Sequence, residues 1–275
     1  MTAGADASPA IRRRPQPSKG EIMRFTKLVA LSLAITASPL LAAAPQSPIA
    51  AAVADTAHRT PENVKLDEGR KPAQLLQFFG LKPGMQVLDM FGANKYWAEI
   101  MAPAIGPKGH VTVWQASQFL NADRKKGFEE FAAKQPNVSL ISSPFEAPDL
   151  AKGKFDFALI NLDYHDVYWE NAERKVVRQD PNVWLKTLYA AMKPGGIVGV
   201  VDHVAVANSD PRVTVEKLHR IDPEVIKADF KRAGFVLAGT SDMLRNPADD
   251  HSLLVFDPKI RGKTDRAVLK FKKPR

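Results

Sequence analysis

The sequence alternates between short runs typical of buried strands and longer amphipathic segments typical of helices. The strand-like runs cover residues 87–90, 111–114, 138–141, 155–162, 197–202, 235–240 and 266–272. Helix-like segments separate most of them, at 96–105, 123–134, 182–192 and after Asp222. Strands interleaved with helices favour a mostly parallel sheet covered by helices on both faces. The sequence therefore predicts an α/β fold.

The domain organisation follows from the same pattern. Residues 60–275 contain neither an internal repeat nor a linker, so they are predicted to form a single domain. Residues 45–59 are rich in alanine without a clear period and are predicted to form a loose lead-in.

The N-terminus resembles a leader for export. Residues 23–27 include Arg24 and Lys27, residues 28–41 are apolar, and three alanines precede Pro45. A basic start, a short apolar run and small residues at the end are typical of a secretory signal peptide. We therefore expect an upstream extension at 1–22, a signal peptide at 23–44, and an exported, periplasmic protein. The apolar run is too short for a membrane span, which predicts no stable membrane insertion after cleavage.

Charge and cysteine content exclude some functions. The formal net charge is +9, and loss of residues 1–44 removes six basic and two acidic residues, which leaves +5. This scattered charge predicts no binding to nucleic acid. The absence of cysteine excludes disulfides, thiolate metal sites and cysteine nucleophiles.

Three segments occur in a characteristic order: "LKPGMQVLDMFGANKYW", "FDFALINLDYHDVYW" and "LYAAMKPGGIVGVVDH". With the later "RAGF" turn, they resemble the class I S-adenosylmethionine-dependent methyltransferases, and most closely the predicted bacterial members that carry signal peptides. The resemblance covers nearly all of residues 60–275. It implies a Rossmann-like fold with a seven-stranded, mostly parallel sheet and an antiparallel last strand. It also implies S-adenosylmethionine as co-substrate and a small-molecule or otherwise unknown methyl acceptor.

The resemblance places the cofactor at the carboxyl ends of the first strands, where the strand order reverses. Asp89 stands where the family has an acidic residue, and Gly92 lies in the turn that follows. The family's turn glycines fall on about Ala93, Asn94 and Lys95, so the glycine-rich motif is degenerate here. The Lys95 side chain would either fill the methionine end of the pocket or pair with the cofactor carboxylate.

Two further strand ends are expected to contact the cofactor. Gln115 lies where the family usually has a carboxylate for the ribose hydroxyls, and an amide accepts such a bond without charge assistance. Asn161 ends the fourth strand and is assigned to the same pocket.

Pairs of aspartate and histidine follow strands four and five, which are neighbours in this fold. They are Asp163 and His165 in "NLDYHD", and Asp202 and His203 in "DH". A histidine beside a carboxylate can act as a general base near neutral pH. His165 is our first candidate for this role and His203 the second. The alternative is that these side chains only fix the strand ends through hydrogen bonds to the loops.

Other polar and aromatic side chains have two interpretations. Tyr164, Tyr168 and Trp169 either wall a substrate pocket or pack in the core. Arg220 either belongs to the start of a capped helix or points into the cleft. The polar stretches "LRNPADDHS", which contains a further Asp/His group, and "RGKTDR" are predicted to form a lid.

A metal site is a further possibility. Asp163, His165, Asp202 and His203 include oxygen and imidazole ligands suited to Mg²⁺, Mn²⁺ or Zn²⁺. No helical H-x-x-x-H spacing supports this set, so we assign no metal ligand from the sequence.

Three functions remain open at this point. The first is an S-adenosylmethionine-dependent methyltransferase that acts outside the cytoplasm. The second is an exported binding protein that keeps the methyltransferase fold without its catalytic activity, because a fold does not determine a function. The third is a metal-assisted hydrolase or lyase.

Overall fold

A computed structural model describes residues 46–275 of the protein. The upstream extension and the signal peptide predicted from the sequence lie outside these residues. In the described part, no helix is both long enough and apolar enough to span a bilayer.

Seven strands form one sheet in the order β3-β2-β1-β4-β5-β7-β6. Their bounds are β1 Gln86–Met90, β2 His110–Ala116, β3 Val138–Ser143, β4 Phe155–Asn161, β5 Met192–His203, β6 Val236–Ser241 and β7 Arg266–Lys272. Strands β1 to β5 pair in parallel, whereas β7 is antiparallel to both of its neighbours. The predicted mostly parallel sheet with an antiparallel last strand is confirmed.

Nine α-helices lie among the described residues. They are α1 Pro48–Ala54, α2 Pro61–Val64, α3 Asp67–Arg70, α4 Pro72–Phe79, α5 Tyr96–Ile105, α6 Ala122–Ala132, α7 Pro181–Ala191, α8 Pro211–Leu218 and α9 Pro223–Ala233. Six of them begin with proline. Proline has no amide hydrogen, and none is needed at the first helical position.

Side chains alternate between two apolar layers along each strand. In β1, Val87 packs with α1, α4 and α5 on one face of the sheet, while Leu88 and Met90 pack with α7 and α9 on the other. Asp89 shares the face of Val87, two residues away. An acidic side chain therefore enters an otherwise apolar layer at the carboxyl end of β1.

Three details differ from the prediction. The lead-in over 45–59 is not loose, because residues 48–54 form α1 and bury Ile49 and Ala52. Helix α8 was not predicted, although Asp210 caps it before a proline in the same way that Asp222 caps α9. Strand β5 already begins at Met192, with a register shift against β4 that absorbs the "KPGG" turn.

Candidate functional site: two adjoining clefts at the carboxyl ends of the strands

The turn after β1 has two left-handed residues, Phe91 (φ 61°) and Lys95 (φ 70°). Left-handed geometry is uncommon for residues other than glycine. Of the three positions on which the family glycines are expected to fall, Lys95 is left-handed, whereas Ala93 and Asn94 have no positive φ. The Asn94 side chain accepts a hydrogen bond from the Tyr96 amide at 3.0 Å. The cofactor role of these three residues stays a prediction.

The unfavourable geometry of Phe91 is offset by burial of its ring. The centroid of the Phe91 ring lies 4.9 Å from that of Trp114 and 5.5 Å from that of Phe145, both in edge-on contacts. The ring also stacks on Trp184. A large buried aromatic side chain contributes more than the roughly 1–2 kcal/mol that left-handed geometry costs. The turn therefore keeps its shape without glycine at this position.

Asp89 is held beneath the turn in a dry environment. Its side chain is buried, and Oδ2 has no hydrogen-bond partner among the described residues. Burial raises the pKa of Asp89 to about 8, although the nearby Arg70 cation acts in the opposite direction. A β-carbon at Gly92 would lie 2.2 Å from Asp89 Oδ2, so only glycine fits above this carboxyl group.

Gln115 is placed at the end of β2 as predicted, but its side chain holds the turn. Its Oε1 accepts a hydrogen bond from the Ala93 amide at 3.3 Å. This acceptor is thus engaged with the protein backbone. The role of Gln115 toward a ribose stays a prediction.

A small cleft of about 120 Å³ opens at this point, between β1 and β4, where the strand order reverses. Ligands of open α/β sheets bind at such switch points. Of the residues assigned to the cofactor, Asp89, Gly92, Asn94 and Asn161 line it, whereas Ala93, Lys95 and Gln115 do not. The rest of its wall is formed by Arg70, Met90, Phe91, Trp97, Leu162 and Asp163.

The N-terminal helices carry Arg70 to the small cleft. Arg59 forms a bidentate ion pair with Asp67 at 2.6 and 2.8 Å, and Tyr96 donates a hydrogen bond to the same carboxylate at 2.7 Å. The Arg70 guanidinium lies 4.1 Å from the centroid of the Tyr96 ring. These contacts join α3 to α5 and direct a cation toward the site.

A second attachment joins α2 to α5. The buried Glu99 carboxylate accepts hydrogen bonds from the Thr60 amide and hydroxyl and from the Asn63 side chain. The start of α2 therefore depends on a residue that lies 39 positions further along the chain.

A larger cleft of about 900 Å³ shares Arg70 and Leu162 with the small one. It lies between α3 and the segment 242–265, which contains "LRNPADDHS" and all but the last residue of "RGKTDR", the two sequences predicted to form a lid. Its basic lining residues are Lys65, Arg70, Lys71, Arg245, Arg261, Lys263 and Arg266, whereas Glu68 is its acidic lining residue. Leu66, Val255 and Phe256 add apolar surface. The cleft thus combines a positive potential with apolar walls.

Arg266 is the most buried cation of the large cleft, with 7% of its surface exposed. Its Nη2 donates to the Gly69 carbonyl at 2.6 Å, and its Nε has no partner among the described residues. Burial and, after it, the nearby Arg70 cation lower the pKa of Arg266 to about 10, although Asp265 acts in the opposite direction. The neighbouring Arg70 and Arg266 cations repel each other, so an anion bound between them is favoured.

His165, the first candidate for a general base, is buried and lines neither cleft. Its Nδ1 lies 2.8 Å from Asp202 Oδ1, and its amide donates to Asp202 Oδ2 at 2.8 Å. Burial acts to lower the pKa of His165, but Asp202 and Asp166 outweigh it and raise the pKa to about 9. A ring that is protonated at neutral pH does not accept a proton there.

His203, the second candidate, lines the large cleft. Its Nδ1 lies 2.7 Å from Thr264 Oγ1, which fixes the orientation of the ring. Burial, followed by the His165 and Arg266 charges, lowers the pKa of His203 well below its ordinary value. The ring is therefore neutral at physiological pH. Strands four and five do bring the two Asp/His pairs together, with the His165 and His203 rings 6.0 Å apart.

Asp163 lies on the wall of the small cleft. Burial and the carboxylates of Asp166 and Asp202 raise its pKa well above the ordinary value, although His165 and Arg70 act in the opposite direction. Its catalytic role stays a prediction.

The tyrosines after β4 pack in the core. Tyr164 and Tyr168 both donate hydrogen bonds to the buried Asp229 of α9, at 2.7 and 2.6 Å. Arg220 is fully buried and forms a bidentate ion pair with Asp249, with both distances at 2.9 Å. Arg220 therefore anchors the segment 242–265 and does not point into a cleft.

Several residues of the two clefts were missed in the sequence. Arg70, Trp97 and Arg266 have no local pattern that distinguishes them from ordinary helix and strand residues. Lys263 lies in "RGKTDR", which the sequence predicts as part of a lid but not as a source of ligand-binding residues. These residues come from three distant parts of the chain. They have in common only that the fold places them at the clefts.

Comparison with known proteins gives partial matches. No family model matches the chain. Among curated proteins, the demethylmenaquinone methyltransferase of Listeria monocytogenes serotype 4a is 28% identical over 130 residues. The match covers 47% of this chain and 49% of the relative, so the chain spans about half the length of the curated relatives it matches.

Solved structures match over a larger part of the chain. An S-adenosylmethionine-dependent methyltransferase from Aquifex aeolicus has a TM-score of 0.53 at 18% identity, covering 78% of this chain and 93% of its own. A 1,6-didemethyltoxoflavin-N1-methyltransferase from Burkholderia thailandensis, solved with bound S-adenosylhomocysteine, has a TM-score of 0.50 at 18% identity and covers 85% and 93%. The described chain has the Rossmann-like fold of the class I methyltransferases.

Proposed function

We propose that this protein is an S-adenosylmethionine-dependent methyltransferase. The observation that carries the proposal is the buried Asp89 carboxyl group, whose Oδ2 has no hydrogen-bond partner in the described part of the chain, beneath a left-handed turn at the switch point of the sheet. A desolvated carboxyl group is costly unless it meets a cation. The ammonium group of the amino-acid portion of S-adenosylmethionine would supply that cation.

The other residues of the small cleft also suit an amino-acid ligand. The Arg70 guanidinium has no ion-pair partner among the described residues, and Trp97 Nε1 is a buried donor without an acceptor. Both groups are suited to a carboxylate. Asn161 offers an amide at the end of β4. The set Asp89, Arg70, Trp97 and Asn161 therefore matches a zwitterion.

The large cleft is our proposed acceptor site, because it adjoins the small one at Arg70 and Leu162. When bound, S-adenosylmethionine supplies an electrophilic methyl group on a sulfonium sulfur. The basic lining favours an acceptor that carries a carboxylate or phosphate group, and the buried Arg266 is its proposed partner. The apolar walls at Leu66 and Phe256 would contact the rest of the acceptor.

Within this site, His203 is the proposed proton acceptor. Transfer of a methyl group to an O–H or N–H acceptor forms one new bond to carbon and releases one proton. His203 lines the acceptor cleft, is neutral, and is oriented by Thr264. The tautomer with the proton on Nδ1 leaves Nε2 free to take the released proton.

Calorimetric titration of the purified protein with S-adenosylmethionine and S-adenosylhomocysteine tests the cofactor assignment. We expect saturable binding of both at one site. Because the Asp89 pKa of about 8 must fall when a cation binds, binding at pH 7 should release protons into the buffer. Absence of binding by either compound would overturn the proposal.

The acceptor class is tested with pairs of compounds that differ only in a carboxylate and its methyl ester. The carboxylates should be the better acceptors, and Arg266→Met should raise their KM at least tenfold without changing cofactor affinity. Lys82→Met, an exposed lysine before β1, is the control. Transfer to a demethylated menaquinone, the substrate class of the curated relatives, with no preference for anions would contradict the anionic assignment.

A second candidate is an exported protein that binds S-adenosylmethionine without transferring its methyl group. Phe91 and Lys95 at the left-handed positions, and a small cleft of only about 120 Å³, favour this function. Binding of S-adenosylmethionine without turnover of any acceptor would support it.

We also propose that the protein acts outside the cytoplasm. The basic start, the apolar run over 28–41 and the three alanines before Pro45 support export. A supply of S-adenosylmethionine in that compartment is then required for turnover.

A further inference from the structure

Three potential metal ligands meet on the side of the site that faces α8. They are His165 Nε2, Asp166 Oδ1 and His219 Nδ1. The distance from His165 Nε2 to Asp166 Oδ1 is 3.3 Å, and that to His219 Nδ1 is also 3.3 Å. The third distance, from His219 Nδ1 to Asp166 Oδ1, is 3.6 Å. The three atoms form a nearly equilateral triangle.

These distances match one face of a metal coordination tetrahedron. Nitrogen and oxygen ligands lie about 2.0–2.2 Å from Zn²⁺, so two ligands at the tetrahedral angle are about 3.3–3.6 Å apart. Two imidazoles and one carboxylate are common ligands of such ions.

The residues around the triangle support ligation. The second ring nitrogen of His165, Nδ1, lies 2.8 Å from Asp202 Oδ1, and Asp202 also accepts the His165 amide hydrogen. A carboxylate on the far nitrogen is typical of metal-bound histidine, because it fixes the ring and makes the ligand more basic. Asp166 Oδ1, in contrast, is buried with no hydrogen-bond partner among the described residues.

The backbone brings the ligands together from two elements. His165 and Asp166 start the short 3-10 helix His165–Tyr168 after β4. His219 ends α8 in the left-handed region, with φ 51°. Such geometry at a residue other than glycine persists only where the surroundings hold it, and it is frequent at functional sites.

We propose that His165, Asp166 and His219 bind a divalent transition cation of the Zn²⁺ class. Three protein ligands leave a fourth coordination position open. The centroids of the His219 and Phe256 rings are 5.2 Å apart, and Phe256 lines the large cleft. The metal would therefore lie beside the proposed acceptor site. This site is independent of the proposed methyl transfer, which requires no metal.

The structure contains one competing arrangement. A proton on His165 Nε2 would point to Asp166 and His219 in place of the cation. The two arrangements differ in what they bind, because only the first takes up metal in a fixed ratio.

Metal uptake tests the proposal. The purified protein, free of any histidine tag, is treated with chelator and titrated with ZnSO₄ in a calorimeter, and bound zinc is counted by elemental analysis. We expect one equivalent of zinc and a higher melting temperature. Substitution with Co²⁺ should give the visible absorption of a tetrahedral ion.

Variants locate the site. Asp166→Asn keeps the side-chain shape, and His219→Ala leaves the bond between His165 and Asp202 intact, so both should fold yet bind zinc at least tenfold more weakly. His58→Ala is the control, because His58 is exposed and pairs with Asp55. Less than stoichiometric uptake by the wild-type protein, or equal affinity in all three variants, would overturn the proposal.

Discussion

At the scale of single residues, the turn after β1 keeps one glycine, at the position where the backbone lies against the Asp89 carboxyl group. Gly92 does not have a positive φ, yet a β-carbon there would overlap the Asp89 carboxyl group. Phe91 and Lys95 have the left-handed geometry instead, and the aromatic contacts of Phe91 offset its cost. The one remaining glycine is thus required by Asp89.

Gly92→Ala should displace the Asp89 side chain and weaken S-adenosylmethionine binding at least tenfold in calorimetric titrations. Gly127→Ala is the matched control, because a β-carbon at Gly127 in α6 meets nothing within 4 Å. The control should keep its affinity and gain up to about 1 kcal/mol of stability from better helix propensity. Unchanged affinity in Gly92→Ala would exclude Asp89 from the site.

Asp89→Asn should raise stability while it lowers cofactor affinity. The folded pKa of Asp89 is raised from 3.8 to about 8 by burial, so the favourable contribution of its protonated form is fully present below pH 3.8. It is lost as the pH rises toward 8, by at most about 1.4 kcal/mol per pH unit. The variant lacks this titration.

Melting temperatures of Asp89→Asn and the wild-type protein, measured at pH 5, 6.5 and 8, give the check. The advantage of the variant should grow with pH. An identical pH dependence of both proteins would show that Asp89 titrates in its ordinary range.

His203→Gln should lower kcat by about 10²–10⁴ while the affinity for S-adenosylmethionine stays the same, because a general base contributes a factor of this size. His110→Gln is the control, since His110 starts β2 at the opposite edge of the sheet and contacts Ser139. Similar kcat values in the two variants would refute the role of His203.

At the scale of elements, the helices before β1 depend on contacts to α5. The Arg59 side chain is 1% exposed, and its carboxylate partner Asp67 also accepts the Tyr96 hydroxyl. Glu99 holds the start of α2 in a similar way. These contacts place Arg70 between the two clefts, so stability and ligand binding are coupled through α3.

Asp67→Asn should lower the free energy of unfolding, by at most about 3–5 kcal/mol, because it leaves the buried Arg59 charge without its partner. Cofactor affinity should fall as well, since Arg70 loses its support. Denaturant unfolding and calorimetry measure the two effects. Glu129→Gln breaks the exposed pair with Lys125 and should change stability by less than about 0.5 kcal/mol. Equal stability of both variants would contradict the proposed coupling.

At the scale of the whole molecule, the two clefts lie at the carboxyl edge of one sheet. Parallel strands bring their carboxyl ends to the same edge, so Asp89, Asn161 and His203 converge although they are far apart in the chain. The segment 242–265 then covers this edge and adds Arg245, Lys263 and Thr264 to the large cleft.

Export predicts a mature protein that begins near Pro45. Intact-mass measurement of the protein from the periplasmic fraction should give the mass of residues 45–275, and α1 should therefore be retained. A mass that still includes residues 23–44 would contradict cleavage.

The sequence by itself determined the α/β class and the succession of helices and strands along the chain, and it placed Asp89, Asn161, Asp202 and His203 at or near the carboxyl ends of their strands. The functional roles of these four residues stay predictions. Periodicity and capping are local signals, because they depend only on residues that are close together in the chain. Helix α8 was not predicted although Asp210 and Pro211 mark its start, and the start of β5 could not be predicted because it depends on pairing with β4.

Only the tertiary structure decided which of these residues share a cleft. It paired His165 with Asp202, placed His203 at the large cleft, and brought His219 from the end of α8 to His165 and Asp166. Desolvation and charge proximity, which set the protonation of such groups, depend on distances through space that a linear pattern does not contain.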